Sequence, residues 1–284
     1  MHIQKSFQQE KSTLFLVSTP IGNLSDMTPR AVETLKSVAL IASEDTRVTK
    51  KLCNHFDIET ALMSYHEHNK NQKTALILNR LSEGHHVALV SDAGMPLISD
   101  PGDKLVESAI EAGYSVVPIP GANAALTALV ASGLTPQPFL FYGFLERQKS
   151  KKKAELSTLA PMSVTLIFYE SPHRLKDTLL AMLEIFGNRQ VVVARELTKM
   201  FEEFLRGRIS EVLAYLTEVR GEVVLLVAGN EDEPEVEAWW EGLNLYDHVD
   251  HYIKKGMKTN AAIKQTATDL GRTRQAVYKE YHNE

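Results

Sequence analysis

The 284-residue sequence has one cysteine, Cys53, so it can form no intramolecular disulfide. A chain without disulfides is typical of a reducing compartment, and we therefore expect a cytoplasmic protein. Residues 1–12 are polar and lack the apolar core of a signal peptide. No apolar stretch approaches the roughly 18 residues that a membrane-spanning helix needs, so we expect no membrane partner.

Several common functional motifs are also missing. The sequence contains no Gly-Lys-Ser/Thr of a P-loop and no Gly-x-Gly-x-x-Gly of a dinucleotide fold. It lacks the Gly-x-Ser-x-Gly of a hydrolase and a zinc-type set of cysteines. His66 and His68 in "YHEHN" have no further ligands in evident spacing, so we expect no metal. These absences argue against triphosphate, dinucleotide and zinc chemistry.

The net charge is small, but the charged residues are unevenly placed. The formal net charge of −5 argues by itself against a nucleic-acid partner. Residues 147–153, "RQKSKKK", nevertheless hold five basic residues, and Lys254 to Glu284 hold seven against three acidic ones. Each basic segment is equally consistent with a solvated face and with a polyanion-binding surface. Residues 231–241 hold six acidic residues and predict a linker.

Short apolar runs alternate with helix-like segments in the first half of the chain. Strands are predicted at 14–18, 38–43, 86–91 and 115–120, and helices at 28–37, 46–55, 70–83, 101–112 and 123–132. Most runs are continuously apolar, which is typical of strands covered on both faces, so we predict a mainly parallel sheet. Asp100, before Pro101, predicts the N-cap of the helix at 101–112.

The second half predicts an α/β domain with a mixed sheet. Strands are predicted at 139–144, 164–169, 190–195, 201–209 and 222–229, and helices at 151–159, 172–186 and 209–219. Only "ELTKM" separates 190–195 from 201–209, which is too short for a parallel crossover, so these strands should pair antiparallel. We predict domains over 13–121 and 122–230. Residues 231–284 would be an acidic linker and a tail of two helices broken at Gly271, either a helix-turn-helix or a packed hairpin.

Four loops that leave predicted strands are rich in small and polar residues. They are "STPIGNLSD" (18–26), "SEDTRVT" (43–49), "SDAGMPLISDPG" (91–102) and "PGANAA" (120–125). Ligands of open parallel sheets bind beyond the carboxyl ends of the strands, so we expect these loops to form one site. The loop 91–102 has two aspartates and no lysine or arginine, which suits a cationic ligand without phosphate.

S-adenosylmethionine is such a ligand, because its sulfonium and ammonium groups are positive and it carries no phosphate. Asp92 is a candidate for the cationic end, and Gly94 and Gly121 would permit close backbone approach. Small residues at 122, 124 and 125 would leave room for the adenosine. Asp92 is equally explained by an Asx-turn.

Eight segments, in this order, carry a resemblance to a known family: "STPIGNLSDMTPRA", "ASEDTRVTKKL", "YHEHN", "LVSDAGMPLISDPG", "PGANAALTALVASGL", "FYGFL", "FYESPHR" and "ARELTK". They resemble the tetrapyrrole methylase superfamily, and within it the methyltransferases that modify a cytidine 2′-hydroxyl of 16S ribosomal RNA. The resemblance runs from about Leu14 to Gly229, and "AIKQTATDLGRTRQAVY" resembles the family's tail. It implies two α/β domains with a ligand cleft between them, S-adenosylmethionine as cofactor, a homodimer, and the small ribosomal subunit as partner.

The resemblance also implies which residues hold the methyl donor. They are Pro20, Gly22 and Asn23; Ser91, Asp92, Ala93, Gly94, Met95 and Pro96; and Gly121, Ala122, Asn123 and Ala124. Relatives often have threonine at the position of Met95, so a hydroxyl contact made there by relatives is not expected here.

Methyl transfer to a hydroxyl chiefly needs alignment and exclusion of water, and a nearby acceptor for the hydroxyl proton can help. Candidates just after predicted strands are Glu44 and Asp45, Glu170, and Glu196 with Lys199, of which the last pair is our first choice. Each has a simpler role as a helix cap or as an ion-pair partner of Arg47, Arg174 or Arg195.

Two other functions are kept open. A tetrapyrrole methyltransferase would share the fold and would have no use for basic patches. A non-catalytic nucleic-acid-binding regulator would use the C-terminal helices and would leave the four loops unexplained.

Overall fold

The computed structural model describes residues 3–6, 11–216, 220–231, 239–240 and 242–282. The chain divides into two compact units, Met1–Asn230 and Glu231–Glu284. Most of the predicted acidic linker, and residues 217–219 of the helix predicted at 209–219, lie outside the described residues. No helix in the described part of the chain combines the length and the apolarity needed to cross a membrane.

The first half of the larger unit contains a parallel sheet, as the sequence predicts. Its strands are β1 (Thr13–Val17), β2 (Leu40–Ser43), β3 (Leu62–Ser64), β4 (Val87–Val90) and β5 (Ser115–Ile119). They lie in the order β3-β2-β4-β1-β5, and every neighbouring pair is parallel. Strand β3 was not predicted, because an edge strand of three residues is too short to show as an apolar run.

Helices cover both faces of this sheet. The first four are α1 (Pro29–Ser37), α2 (Thr46–His55), α3 (Lys70–Ser82) and α4 (Asp103–Glu111). Helices α1 and α2 share one apolar core with the sheet, and α3 and α4 share a second core on the other face. The central strand β4 therefore buries all four of its side chains, which explains its continuously apolar sequence.

The second sheet is mixed. Its strands are β6 (Phe139–Phe144), β7 (Thr165–Glu170), β8 (Gln190–Arg195), β9 (Glu203–Arg208) and β10 (Val223–Val227), in the order β6-β7-β10-β8-β9. Only β6 and β7 pair parallel, and the predicted antiparallel pairing of β8 with β9 is confirmed. The α/β fold class with a mixed second sheet is therefore confirmed.

Helices also cover both faces of the second sheet. On one face lie α6 (Lys149–Leu159), α7 (Pro172–Phe186) and α8 (Ile209–Tyr215). On the other lies α5 (Ala124–Ser132), whose Ala125, Ala128 and Leu129 pack against β7, β8 and β10. Ile21 joins this core from the loop after β1, so the two sheets share packing there. The domain boundary at 121/122 stays a prediction.

The smaller unit is helical. It contains α9 (Leu245–Lys254), α10 (Thr259–Asp269) and α11 (Arg274–Tyr281), around a core of Leu245, Val249, Ala262, Ile263, Ala267 and Val277. Gly271, with a φ of 61°, lies in the turn between α10 and α11. The predicted break at this glycine is confirmed, whereas α9 was not predicted from the sequence.

Candidate functional site

A cavity of about 410 Å³ lies where the loops of the first sheet meet the second sheet. Asp92, Gly94, Met95 and Asp100 line it from the loop after β4, and Tyr169 lines it from the end of β7. A groove of about 340 Å³ adjoins it, sharing lining residues at positions 21, 92, 93 and 222. The volume of the cavity falls in the range of small-molecule sites.

The floor of the cavity is fixed by a backbone bridge between two predicted loops. The Thr19 N–H donates to the Gly94 carbonyl at 2.8 Å, and the Gly94 N–H donates to the Thr19 carbonyl at 3.1 Å. The Ser91 hydroxyl donates to the same Gly94 carbonyl at 2.9 Å. Gly94 has a φ of 84°, and a Cβ there would come within 3.2 Å of Ile21. A glycine is therefore needed at position 94.

Asp92 links the loops after β4 and β2. Its Oδ1 accepts a hydrogen bond from the backbone N–H of Asp45 at 3.0 Å, and its side chain lines both the cavity and the groove. The carboxylate thus bonds to a loop 47 residues away in sequence. This long-range bond is not that of a local Asx-turn, and a role of Asp92 in ligand binding stays a prediction.

Asp100 does not cap the following helix, and this prediction was wrong. Helix α4 begins at Asp103 with Gly102 at its N-cap and no side-chain cap hydrogen bond. The backbone turns through left-handed conformations at Leu97 (φ 71°) and Ser99 (φ 68°), which directs Asp100 to the cavity. Burial, with the nearby charges of Glu44 and Asp92, raises the pKa of Asp100 to about 6.

The lining of the cavity is acidic and apolar. Its carboxylates are Asp92, Asp100, Glu170 and Glu222, and no lysine or arginine lines it among the described residues. Apolar side chains, including Ile21, Leu197 and Val224, form much of the remaining wall. Such a lining repels phosphate and favours a cation that carries an apolar group.

Lys199 and Glu196 do lie together, as the short turn between β8 and β9 suggests. Lys199 Nζ donates to Glu196 Oε1 at 2.9 Å and to Glu222 Oε2 at 3.0 Å. Burial alone would lower the pKa of Lys199, but these hydrogen bonds overcome it and raise the pKa. The bond to Lys199 lowers the pKa of Glu196. Lys199 is therefore a stable cation on the wall of the groove, whereas Glu196 lines neither space.

Two glycines make room for this pair. A Cβ at Gly22 would lie 2.5 Å from Lys199 Cγ, and a Cβ at Gly221 would lie 2.1 Å from Glu196 Oε1. Glu196 (φ 50°) and Thr198 (φ 68°) are themselves left-handed. Strained residues of this kind persist where the surrounding structure holds them, and they concentrate at functional sites.

The remaining catalytic candidates have evident structural roles. Glu170 is buried and lines the cavity, but its oxygens accept from the Ser171 N–H at 2.8 Å and the Thr178 hydroxyl at 2.6 Å. Asp45 caps α2 and pairs with Arg47, whose hydrogen bonds lower the Asp45 pKa to about 2. Asp45 lines neither the cavity nor the groove. A catalytic role for either residue stays a prediction.

The predicted donor-binding residues are spread over three locations. Those that line the cavity are Asp92, Ala93, Gly94, Met95, Asn123 and Ala124, and those that line the groove include Pro20, Gly22 and Ser91. Pro96, Gly121 and Ala122 line neither, and Asn23 caps a short 3₁₀ helix over Leu24–Asp26. Gly121 is instead a close-packing position, since a Cβ there would come within 2.7 Å of Ser18 Cβ.

Sequence reasoning missed several residues of the site. They are Asp100, Phe144, Tyr169, Leu197 and the segment 221–224. The rings of Phe144 and Tyr169 lie 5.7 Å apart and form an aromatic part of the wall. Nothing in the apolar runs could have identified them, because which side of a strand borders the cavity depends on how the two sheets pack. Within the described residues, no group of three or more His, Cys, Asp or Glu is arranged to hold a metal ion.

This fold is that of a known class of α/β methylases. Its likeness to the uroporphyrin-III-C-methyltransferase of Thermus thermophilus has a TM-score of 0.55 at 19% identity, over 77% of this chain and 94% of that chain. Residues 13–213 match the model of the Tetrapyrrole (Corrin/Porphyrin) Methylases, and the chain belongs to this family.

The relatives within this family are much more similar in sequence. The chain is 56% identical to the ribosomal RNA small subunit methyltransferase I of Bacillus subtilis, over 98% of each chain. It is also 56% identical to the protein of the same name from Halalkalibacterium halodurans, over the full length of both chains.

Proposed function

We propose that this protein transfers a methyl group from S-adenosylmethionine to the 2′-hydroxyl of a cytidine in 16S ribosomal RNA of the small subunit. The observation that carries the donor is the cavity, whose described lining combines carboxylates with apolar side chains and lacks lysine and arginine. Small-subunit ribosomal RNA as the substrate is supported by the names of relatives that are 56% identical over nearly the whole chain. The cytidine 2′-hydroxyl is the finer part of the proposal and rests on the resemblance carried by the eight sequence segments.

The residues of the cavity fit the proposed donor. Asp92 provides negative charge for the cationic groups, and Ile21, Ala124 and Leu197 provide an apolar surface for the adenosine. The absence of phosphate in S-adenosylmethionine agrees with the acidic lining. When bound, this cofactor supplies an electrophilic methyl group on a positively charged sulfur.

The chain's own contribution is alignment. The bridge between Thr19 and Gly94 and the bond from the Asp45 N–H to Asp92 fix three loops around the cavity. Preorganised positioning of this kind can supply much of the rate of a transfer reaction. The leaving group is a neutral thioether, so only the acceptor hydroxyl requires proton transfer.

The RNA would approach along the groove. Lys51 and Lys199 line it, and a protonated Lys199 suits a phosphate better than it suits a proton acceptor. We therefore propose that Lys199, held by Glu196, contacts the RNA backbone. In the smaller unit, Arg274, Tyr278 and Lys279 are exposed on α11 and supply basic and aromatic groups for further RNA contact.

The basic run at 147–153 offers less RNA-binding surface than its sequence suggests. Lys152 is buried, with its Nζ donating to the Thr178 hydroxyl at 2.8 Å, and Lys153 pairs with Glu184. Arg147, Lys149 and Lys151 remain exposed. Only this exposed part is proposed to contact RNA.

We also propose a cytoplasmic homodimer. Large apolar side chains stand exposed at Val130 (80%), Met200 (93%) and Phe201 (68%), and exposed apolar surface of this kind favours association. Light scattering of the purified protein would test the proposal. A mass near 64 kDa, about twice the chain mass of 31.8 kDa, is expected.

A tetrapyrrole acceptor is the competing candidate, and it rests on the fold likeness to a uroporphyrin methyltransferase. The deciding experiment incubates the protein with labelled S-adenosylmethionine and small subunits that lack the modification, followed by nucleoside analysis. Label in 2′-O-methylcytidine is expected. Label only in a porphyrin precursor, label in a base, or no label in either acceptor would each contradict the proposal. A parallel incubation with naked 16S RNA identifies the form of the substrate.

A further inference from the structure

The segment from Leu97 to Gly102 adopts an unfavourable conformation whose visible result is the position of Asp100. Leu97 (φ 71°), Ser99 (φ 68°) and Gly102 (φ 147°) all lie at positive φ, and two of the three are not glycine. Helix α4 starts without a side-chain cap, although Asp100 lies only three residues before it. Helix α4 therefore lacks the hydrogen bond of an N-cap side chain, and two non-glycine residues are strained. The same backbone path places Asp100 on the wall of the cavity.

The second sheet accommodates this segment at a specific place. The Ser99 hydroxyl oxygen lies 3.2 Å from where a Cβ of Gly143 would be, and the pairing of β6 with β7 shifts register between Phe141 and Gly143. A side chain at position 143 would press on Ser99. The bulge in β6 and the absence of a side chain at Gly143 therefore leave room for Ser99, the residue next to Asp100.

The surroundings of Asp100 disfavour its charge. Asp92 follows β4, Glu44 follows β2, and Tyr169 faces it from β7, while Glu170 and Glu222 line the same cavity. No described residue donates a hydrogen bond to the Asp100 carboxylate. No described hydrogen bond occupies its two oxygens, and with a pKa near 6 the carboxylate is largely ionised at neutral pH and is a stronger base than an ordinary aspartate.

We propose that Asp100 is the catalytic residue that accepts the proton of the acceptor hydroxyl, an inference that rests on the proposed function. The hydroxyl oxygen forms its bond to the methyl carbon while the carbon–sulfur bond breaks. The electron pair of that bond stays on sulfur, which becomes a neutral thioether, and the hydroxyl proton passes to a carboxylate oxygen of Asp100.

The other carboxylates of the site are less suited to this role. The Glu196 pKa is lowered by Lys199, which makes Glu196 a weaker base, and Glu196 does not line the cavity. Both oxygens of Glu170 already accept hydrogen bonds. Asp92 Oδ1 is occupied by the Asp45 N–H. Asp100 alone combines access to the cavity with two unoccupied oxygens among these described carboxylates.

The test compares Asp100→Asn with wild type and with Asp103→Asn, an exposed aspartate at the start of α4. Single-turnover rates are measured with saturating small subunits and donor from pH 5 to 8, and calorimetry gives the affinity for S-adenosylhomocysteine. Asp100→Asn should slow the transfer by about 100-fold and change this affinity by less than about twofold. The wild-type rate should rise with an apparent pKa near 6, and this dependence should vanish in Asp100→Asn. Asp103→Asn should behave as wild type.

Two kinetic outcomes would overturn the proposal. Near-normal transfer by Asp100→Asn would show that its carboxylate takes no proton. Affinity for S-adenosylhomocysteine weakened tenfold or more, with a normal rate at saturation, would make Asp100 a donor ligand instead.

A second readout needs no activity. Since the folded pKa of Asp100 lies above its ordinary value of 3.8, ionisation destabilises the folded protein as pH rises from about 4 to about 6. The melting temperature of Asp100→Asn, relative to that of wild type, should therefore increase between pH 4 and pH 6. Above pH 6 it should remain higher than that of wild type. An unfolded or less stable Asp100→Asn at pH 7 would contradict the placement of Asp100. If wild type labels no RNA, the proposed function fails, and the melting comparison still decides whether the cavity holds Asp100 as described.

Discussion

The Asp92 carboxylate and the Asp45 backbone N–H, 3.0 Å apart, join the loops that follow β4 and β2. These strands are neighbours in the sheet, so the bond fixes Asp92 on the cavity wall from a second strand end. An aspartate held in this way can face a ligand without rearranging first, which lowers the entropic cost of binding.

This relationship leads to a prediction for Asp92. Asp92→Asn keeps an oxygen that can accept from Asp45, so the fold should persist, but the negative charge is lost. Affinity for S-adenosylmethionine should fall about tenfold, or about 1.4 kcal/mol. Calorimetry checks this, with S-adenosylhomocysteine as the control ligand, because it lacks the sulfonium charge and should lose less. Unchanged affinity for both ligands would remove Asp92 from the donor site.

Lys199 and Glu196 are predicted to act on RNA binding. Lys199→Ala removes a cation from the groove, so the Michaelis constant for small subunits should rise several-fold and the dependence on salt should weaken. Glu196→Gln should have a smaller effect in the same direction, because it loosens the hold on Lys199. Steady-state kinetics at several salt concentrations measure both. Near-normal kinetics in both variants would exclude a role for the pair.

Gly221→Ala should disturb the same pair through packing alone. The new Cβ would come within 2.1 Å of Glu196 Oε1, so the glutamate must move and release Lys199. Gly84→Ala is the matched control, since Gly84 has a similar φ (91° against 85°) and nothing within 4 Å of the added carbon. Both variants should lose about 1 kcal/mol of stability from the left-handed backbone. Only Gly221→Ala should also raise the Michaelis constant for small subunits, and equal kinetics in the two variants would contradict this.

Adjacent lysines of the basic run should behave differently. Lys151→Ala removes an exposed charge, and it should reduce the slope of RNA affinity against salt without changing the melting temperature. Lys152→Met replaces a buried cation, whose pKa is lowered by burial, with an apolar chain of similar length. It should leave RNA affinity unchanged and alter the free energy of unfolding by less than about 1.5 kcal/mol. Loss of RNA affinity in Lys152→Met would contradict this assignment.

The tail is predicted to bind the ribosomal substrate. Deletion of residues 235–284 should raise the Michaelis constant for small subunits and leave donor affinity intact. In the full chain, Arg274→Ala with Lys279→Ala should have a weaker effect of the same kind, since both side chains are exposed on α11. Filter binding measures the affinity for small subunits, and calorimetry measures the affinity for the methyl donor. Unchanged kinetics after the deletion would remove the tail from RNA binding.

Much of the architecture could be predicted from local pattern. The continuously apolar run at β4 is buried at all four of its residues, as expected for a strand covered on two faces. The five-residue gap "ELTKM" between the predicted strands at 190–195 and 201–209 leaves no room for a parallel crossover, and β8 and β9 do pair antiparallel. The three-residue strand β3 has no apolar run long enough to predict it. Helix α9 was also missed, although its sequence from Leu245 to Lys254 carries apolar residues at helical spacing.

The two α/β sheets, the four loops that line the cavity and the groove, and the proposal of a cationic ligand could all be predicted from the sequence. Those properties depend on residue type and on spacing along the chain. The packing of the folded chain was needed to show that Asp100 lines the cavity instead of capping α4, that Lys152 is buried among basic neighbours, and that Phe144 and Tyr169 form part of the wall. Each of these depends on how segments distant in sequence pack together, and no local pattern encodes that packing.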